Sequence, residues 1–249
     1  MTMWPDGYGR HVLESVDSTL SEAARMAPDA AGPVWIMANR QTAARGRRGR
    51  PWSMPAGNFA ATLLMPVSDA PGQAALRSFV ASLALREALV AATGREQGFA
   101  LKWPNDVLLR DGKLAGILLE SAGHGPQLRH LSIGIGVNLA AAPAMAEVEP
   151  GAVRPVSLKG ELGTVITPED FLDLLAAAYA RFETQFTTYG FAPIRAAWIS
   201  HAARLGEVIT ARTTRDETTG TFADVDAAGN LVLETSRGRV AIAAADVYF

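Results

Sequence analysis

The chain has 249 residues, 49% hydrophobic and 19% charged, with a net charge of -2 and no cysteine. That length is enough for a sizeable core, as one large domain or a large one with a small companion. The near-neutral balance excludes a global field drawing the protein to nucleic acid or anionic lipid. The lack of cysteine excludes disulfides, thiolate nucleophiles and Cys-ligated metals, and makes a reducing cytoplasm the expected compartment.

In chain order, the opening MTMWPDGYGR lacks a basic segment followed by an apolar run, so no signal peptide is read. HVLESV (11–16) alternates like a short strand, and Asp17 or Ser18 then caps a helix over Ser21 to Met26. VWIMANR (34–40) and NFAATLLMP (58–66) read as strands, the second stopped by proline. Gln73 to Thr93 reads as one long helix closed by Gly94. Its apolar stretch, Ala74 to Ala92, is broken by Arg77, Arg86 and Glu87, which suits a buried helix and not a membrane span. FALKW (99–103), KLAGILLE (113–120) and LSIGIGVNL (131–139) are β-like runs, and Ala141 to Thr164 reads as irregular crossing chain. TPEDF sets Thr167 as the cap and Pro168 as the first residue of a helix to Tyr189, with a shorter helix around Pro193 to His201. After Leu205 the texture changes to short alternating segments, VITARTT, GTFADVD, NLVLET and RVAIAA, separated by Gly, Asn and Asp turns, as in a small β-barrel.

Against this apolar background, ARGRRGRPW (44–52) packs four arginines, two glycines and a tryptophan into nine positions. Local positive charge on a near-neutral chain points to a local anionic ligand. Gly46 and Gly49 let such a loop move and bring its backbone close to a ligand, and Trp52 offers a face to an apolar ring or a purine. In isolation the same segment also fits a solvated basic turn or a nucleic-acid contact. Its glycines and mutually repelling arginines have little to offset the entropy of ordering, so an anionic ligand is expected to order it. The four histidines, His11, His124, His130 and His201, show no metal-ligand spacing and read as structural or exposed.

Four stretches stand together: VDST (16–19), RQTAARGRRGRPW (40–52), LKWPNDVLLRDGKLAGILLE (101–120) and IGIGVNL (133–139). Their order and spacing resemble the catalytic domain of the bacterial biotin–protein ligase family, and the terminal strands resemble its SH3-like domain. The resemblance implies an α/β (α+β) fold: a biotin/lipoate-ligase-like catalytic domain with a mixed sheet flanked by helices over 1–204, then a small SH3-like β-barrel over 205–249. It implies a cytoplasmic ligase using ATP and Mg²⁺. Such an enzyme activates biotin as biotinyl-5'-AMP and transfers it to a specific lysine of a biotin carboxyl carrier protein, in acetyl-CoA carboxylase or a related carboxylase. No nucleic-acid or membrane partner is expected, and a monomer or an edge-paired homodimer is. Only fifteen residues precede VDST, too few for the winged helix-turn-helix that some relatives carry.

On the matching positions, Lys113, Arg47 and Asp106 would be catalytic. Ser18, Thr19, Gln41, Arg45, Gly46, Arg47 and Lys113 would bind biotin, and Trp52, Asn105, Asp106 and Asn138 the nucleotide. No side chain is assigned to Mg²⁺, which is expected mainly through phosphates. The chemistry needs such residues, because bringing a carboxylate to a triphosphate costs roughly 4 kcal/mol per like-charge pair at 4 Å. Arg45, Arg47 and Lys113 are the cations that would cancel it. A ureido ring, with two N–H donors and one carbonyl, needs matching polar groups, which Ser18, Thr19 and Gln41 supply. The closely spaced glycines of IGIGVN either admit a ligand to the strand or pack a central strand tightly. Lys102 is left between phosphate contact and surface lysine, and Arg48 is read as facing solvent. The family's usual Asn after Ser-Thr is Leu20 here, and its usual Gly at the loop base is Ala44. The rivals are a lipoate or octanoate ligase of the same broad fold and a non-catalytic protein that binds biotin or nucleic acid.

Overall fold

The computed structural model describes residues 3–124, 127–149, 151–213 and 216–249. Pro150 and Thr214, in stretches read above as irregular chain and as strand, and the His124 side chain lie outside the described residues.

The strand β1 (Gly9–Val16) leads through Ser18 into helix α1 (Thr19–Met26), and β2 (Val34–Gln41) returns parallel to β1. A parallel pair needs such a crossover. The register sets Val16 opposite Gln41, so VDST and the arginine loop both leave the same end of the sheet. β3 (Phe59–Pro66) follows, then α2 (Pro71–Ala75) and α3 (Arg77–Thr93), closed by Gly94 in the left-handed region. The helix read as one piece is thus broken at Leu76 and begins at Pro71, a residue suited to a first helical turn.

β4 (Phe99–Lys102), β5 (Asp106–Leu109), β6 (Gly112–His124) and β7 (Gln127–Val137) form a meander. β5 was not among the expected strands. Its hairpin to β6 turns on Arg110 and Asp111, both at positive φ (48° and 62°), where such turns usually carry Asn or Gly. Next come α4 (Leu158–Leu162), capped by Ser157 inside the stretch read as irregular, and α5 (Pro168–Tyr189), capped by Thr167 as expected. α6 (Phe191–Ile199) starts ahead of Pro193. β8 (Val208–Arg212), β9 (Glu217–Val225), β10 (Leu231–Thr235), β11 (Gly238–Ile242) and β12 (Asp246–Tyr248) end the chain.

Seven strands form a mixed sheet in the order β1-β2-β3-β7-β6-β5-β4, and five form a separate antiparallel sheet in the order β11-β10-β9-β8-β12. Inner strands of the large sheet such as β3 are buried on both faces, which is why they read as near-continuous apolar runs. On β3, Phe59, Ala61, Leu63 and Met65 enter the main core with α3 and α5, while Leu64 faces the other way onto Ala23 and Ala27 beside Ile36. Leu131, Ile133, Ile135 and Val137 of β7 join the main core, leaving Ser132, Gly134 and Gly136 for the opposite face by the two-residue period. Trp103 Nε1 donates to the carbonyl of Gly229 at 3.0 Å, fastening the C-terminal sheet beside the large one. No helix among the described residues is long and apolar enough to cross a membrane.

Candidate active site

A cavity of about 360 Å³ opens on the α1 side of the large sheet, within the usual range for small-molecule sites, about 300–1,000 Å³. Its floor follows from strand register. Asp106, Gly116, Gly136 and Ala60 lie side by side across β5, β6, β7 and β3. The next row sets Leu118, Gly134 and Thr62 across β6, β7 and β3.

The glycines of this floor make room for protein side chains. A Cβ on Gly136 would stand 2.7 Å from the Trp52 indole, and one on Gly116 would stand 3.3 Å from it. A Cβ on Gly134 would stand 2.9 Å from Leu20. Trp52 therefore lies on a glycine platform, and Leu20 is a buried part of the cavity wall packed on Gly134.

At the carboxyl ends of β1 and β2, Asp17 accepts from the Ser18 backbone N–H at 2.8 Å and pairs with Arg25, fixing the VDST turn. Ser18 occupies the cap position of α1, yet its hydroxyl makes no cap bond, so that buried hydroxyl lines the cavity without closing the helix. Gln41 Oε1 accepts from the Thr19 backbone N–H at 2.7 Å and the Thr19 hydroxyl at 3.2 Å, and Thr62 donates to Thr19 at 2.9 Å. Among the described residues, Gln41 Nε2 faces only Met54 Sδ, at 3.4 Å. The result is a small polar cluster with donors to offer.

The opposite end is charged. Lys113 Nζ stands 2.7 Å from Asp106 Oδ1 and 5.8 Å from the centre of the Trp52 ring. Lys102 Nζ stands 3.9 Å from Asp106 Oδ2. Lys102, left open above, is buried and lines the cavity. Arg47 Nη1 donates to Asn105 Oδ1 at 3.3 Å, and Asn105 Nδ2 holds the Ile117 carbonyl at 2.6 Å. Burial pushes the Asp106 carboxyl up, but Lys113, Lys102 and Arg47 outweigh it and hold the group below its usual value. Burial lowers the Lys102 ammonium despite Asp106, and it lowers Arg47 despite Asp246 and Asp106. Among the described residues no group of three His, Cys, Asp or Glu side chains could hold a metal ion.

Because Asp106 is depressed in the folded state, its contribution to stability is present above the ordinary carboxylate range. That contribution is lost as pH falls through the depressed value. Asp106→Asn, which leaves Lys113 and Lys102 without their carboxylate, is expected to destabilise the fold at pH 7 by about 3 kcal/mol. The deficit should shrink in melts at pH 3. An equal deficit at both pH values would mean that the carboxylate is not the group the lysines stabilise.

The arginine loop closes one side of the cavity, pinned at its neck by the Arg45–Pro51 bridge and by Trp52 N–H to the Ala44 carbonyl at 3.0 Å. Arg45 is turned onto Glu120 through two bonds of 3.0 and 2.9 Å and onto Ser21 at 2.8 Å. Of the three cations expected together, Arg47 and Lys113 reach the Asp106 end, and Arg45 is held by protein groups. Arg48 is exposed, as its alternation suggested, with its guanidinium on Asp246 at 2.8 Å. Asn138, expected near the nucleotide, lines the cavity but also ties β7 to the chain before α4, donating to the Val156 carbonyl at 3.1 Å. The C-terminal sheet contributes Asp246, Val247 and Tyr248 to the lining, and Glu149 enters from the crossing chain. The sequence carries no local signal for Asp246 or Glu149, because their roles depend on chain segments far apart.

The profile of the "Biotin/lipoate A/B protein ligase family" matches residues 12–138, and that of the "Biotin protein ligase C terminal domain" matches residues 205–249. The chain is similar to a Biotin--[acetyl-CoA-carboxylase] ligase of Paracoccus denitrificans, 54% identical over 238 residues covering 96% of this chain and 99% of the relative. It is also similar to the Bifunctional ligase/repressor BirA of Bacillus subtilis, 30% identical over 95% of this chain and 71% of that protein. Its fold matches that of a biotin protein ligase from Aquifex aeolicus, solved in complex with biotin and ATP. The TM-score is 0.81 at 24% identity, over 96% of this chain and 98% of that one. With 54% identity across nearly all of one relative and a profile spanning half the chain, the protein belongs to the biotin/lipoate A/B protein ligase family and is an enzyme of its biotin protein ligase branch.

Proposed function

We propose that this enzyme joins biotin to ATP as biotinyl-5'-AMP and passes the biotinyl group to one lysine of a biotin carboxyl carrier protein of acetyl-CoA carboxylase. The observation that carries this reading is the polarity of the cavity. A hydroxyl and amide cluster of Ser18, Thr19 and Gln41 stands at one end, and Lys113, Lys102 and Arg47 gather around the buried carboxylate Asp106 at the other.

The ureido ring of biotin fits the first end, where the Ser18 hydroxyl and Gln41 Nε2 are available to it. The carboxylate tail then reaches Lys113, whose ammonium bridges it to the α-phosphate. One carboxylate oxygen attacks α-phosphorus, the bond to pyrophosphate breaks, and the charge that builds on phosphorus is met by Lys113 and Arg47. In the second step the carrier lysine amine attacks the acyl carbon. The carbon–oxygen bond of the anhydride breaks, AMP leaves with that oxygen, and the amine releases one proton as the amide forms. Asp106 keeps Lys113 aimed, Asn105 orients Arg47, and the Trp52 indole on its glycine platform is the stacking face for adenine. Mg²⁺, when bound, would offset charge on the departing pyrophosphate. With one central carboxylate already paired to Lys113, it would arrive on the phosphates of ATP. The absence of cysteine fits a cytoplasmic setting.

The test is ATP–pyrophosphate exchange with biotin, lipoate and octanoate offered separately. Biotin alone should support exchange, and exchange driven by an alkyl acid would assign the cavity to the other branch of the family. The platform has its own consequence. Gly136→Ala sets a methyl 2.7 Å from the indole, so the ring must move, and the KM for ATP is expected to rise about tenfold, the loss of one stacking contact. An unchanged KM for ATP would remove Trp52 from the nucleotide site.

A further inference from the structure

Asp246, the first residue of β12, belongs to the small C-terminal sheet, yet its partners are the arginines of the loop that leaves β2. Arg48 Nη1 stands 2.8 Å and Arg50 Nη2 3.2 Å from Asp246 Oδ2, and Arg47 Nη1 stands 3.5 Å from Oδ1. The neighbouring Ala245 carbonyl accepts from Arg47 Nη2 at 3.2 Å. The Asp246 side chain is 15% exposed, while the Arg48 and Arg50 side chains that reach it are 42% and 38% exposed.

The backbone of the loop makes the same point independently. Arg48 has φ 56° and Gly49 has φ 71°. A residue with a Cβ seldom adopts such a conformation unless something outside it holds it there. Arg48 is also the residue that donates to Asp246 at 2.8 Å. Asp246 grips the outer arginines, Arg48 and Arg50, and leaves Arg47 turned inward to Asn105. Even with Glu149 on Arg50 at 2.7 Å, the loop keeps more positive than negative charge, so a polyphosphate still finds an attractive site.

We propose that Asp246 is a positioning residue: from the C-terminal sheet it holds the arginine loop shut over the cavity, and so sets the affinity for ATP through the loop arginines. The ATP half rests on the ligase reading of the cavity; the hold on the loop does not. Asp246→Asn keeps the size and removes the charge. The variant is expected to raise the KM for ATP about tenfold with kcat within about twofold, as the loss of one carboxylate shared by three arginines should. Without ligands, trypsin should cut it after Arg47 and Arg48 several-fold faster than wild type. Asp246→Glu should restore both readouts. Arg48→Ala, which breaks the same contact from the loop side, should reproduce the rise in KM and the faster cut after Arg47. Unchanged KM for ATP and unchanged cutting in Asp246→Asn would overturn the proposal, as would a fall in kcat with no change in KM. If wild type fails to exchange with biotin while Asp246→Asn is still cut faster, the ligase reading falls and the hold on the loop stands.

Discussion

Replacing Lys113 by alanine is expected to lower biotin-dependent ATP–pyrophosphate exchange by about a thousandfold, roughly 4 kcal/mol of transition-state stabilisation. Lys113 is the ammonium closest to Asp106, at 2.7 Å, and in the proposed reaction it meets both the attacking carboxylate and the α-phosphate. Lys102 cannot replace it. That ammonium lies on the other oxygen of Asp106, at 3.9 Å, and is buried. The variant should still melt cooperatively, because a third of the Lys113 side chain is exposed and Asp106 keeps Lys102 as a partner. A variant that retained more than about a tenth of the exchange rate, a loss under about 1.4 kcal/mol, would take Lys113 out of the reaction.

Arg47→Gly acts on the other side of the phosphate. Arg47 is held by Asn105 and the Ala245 carbonyl, so it joins the loop, the large sheet and the C-terminal sheet at one point. Its loss should weaken the grip on the adenylate more than it slows adenylate synthesis, since in the proposed reaction Lys113 would still bridge the reacting groups. The activated anhydride would then escape and acylate unrelated lysines. With biotin, ATP and bystander proteins, the variant should label the bystanders at least about tenfold faster than wild type, the equivalent of one lost charged contact. Labelling no faster than wild type would place Arg47 outside the closure of the site.

Much of this arrangement is legible in the sequence, because the four stretches that carry it are placed by simple rules. VDST and Gln41 meet because β1 and β2 are parallel with Val16 opposite Gln41. KLAGIL and IGIG meet because two adjacent antiparallel strands set Gly116 opposite Gly136. The period of the glycines shows that their face is open, but not what fills it. Here Leu20 and Trp52 do, so the departure at Leu20 is a packing partner of Gly134. Strand β5 was hidden because Arg110 and Asp111 make a turn that sequence patterns assign to Asn and Gly. The carboxylates that take the arginines were hidden for a different reason. Glu120, Glu149 and Asp246 lie far along the chain from the loop, and an ion pair formed only by folding leaves no periodic trace. The loop read in isolation therefore looked more repulsive than it is.

The proposed reaction bonds a biotin carboxylate oxygen to the α-phosphorus in this cavity and releases it on AMP. It is tested most directly with biotin labelled with oxygen-18 in both carboxylate oxygens, ATP, the carrier domain and mass analysis of the AMP produced. One labelled oxygen per AMP, with none in pyrophosphate, is the result expected when Lys113 and Arg47 bring the carboxylate to the α-phosphate. AMP free of label, or label in inorganic phosphate, would contradict it.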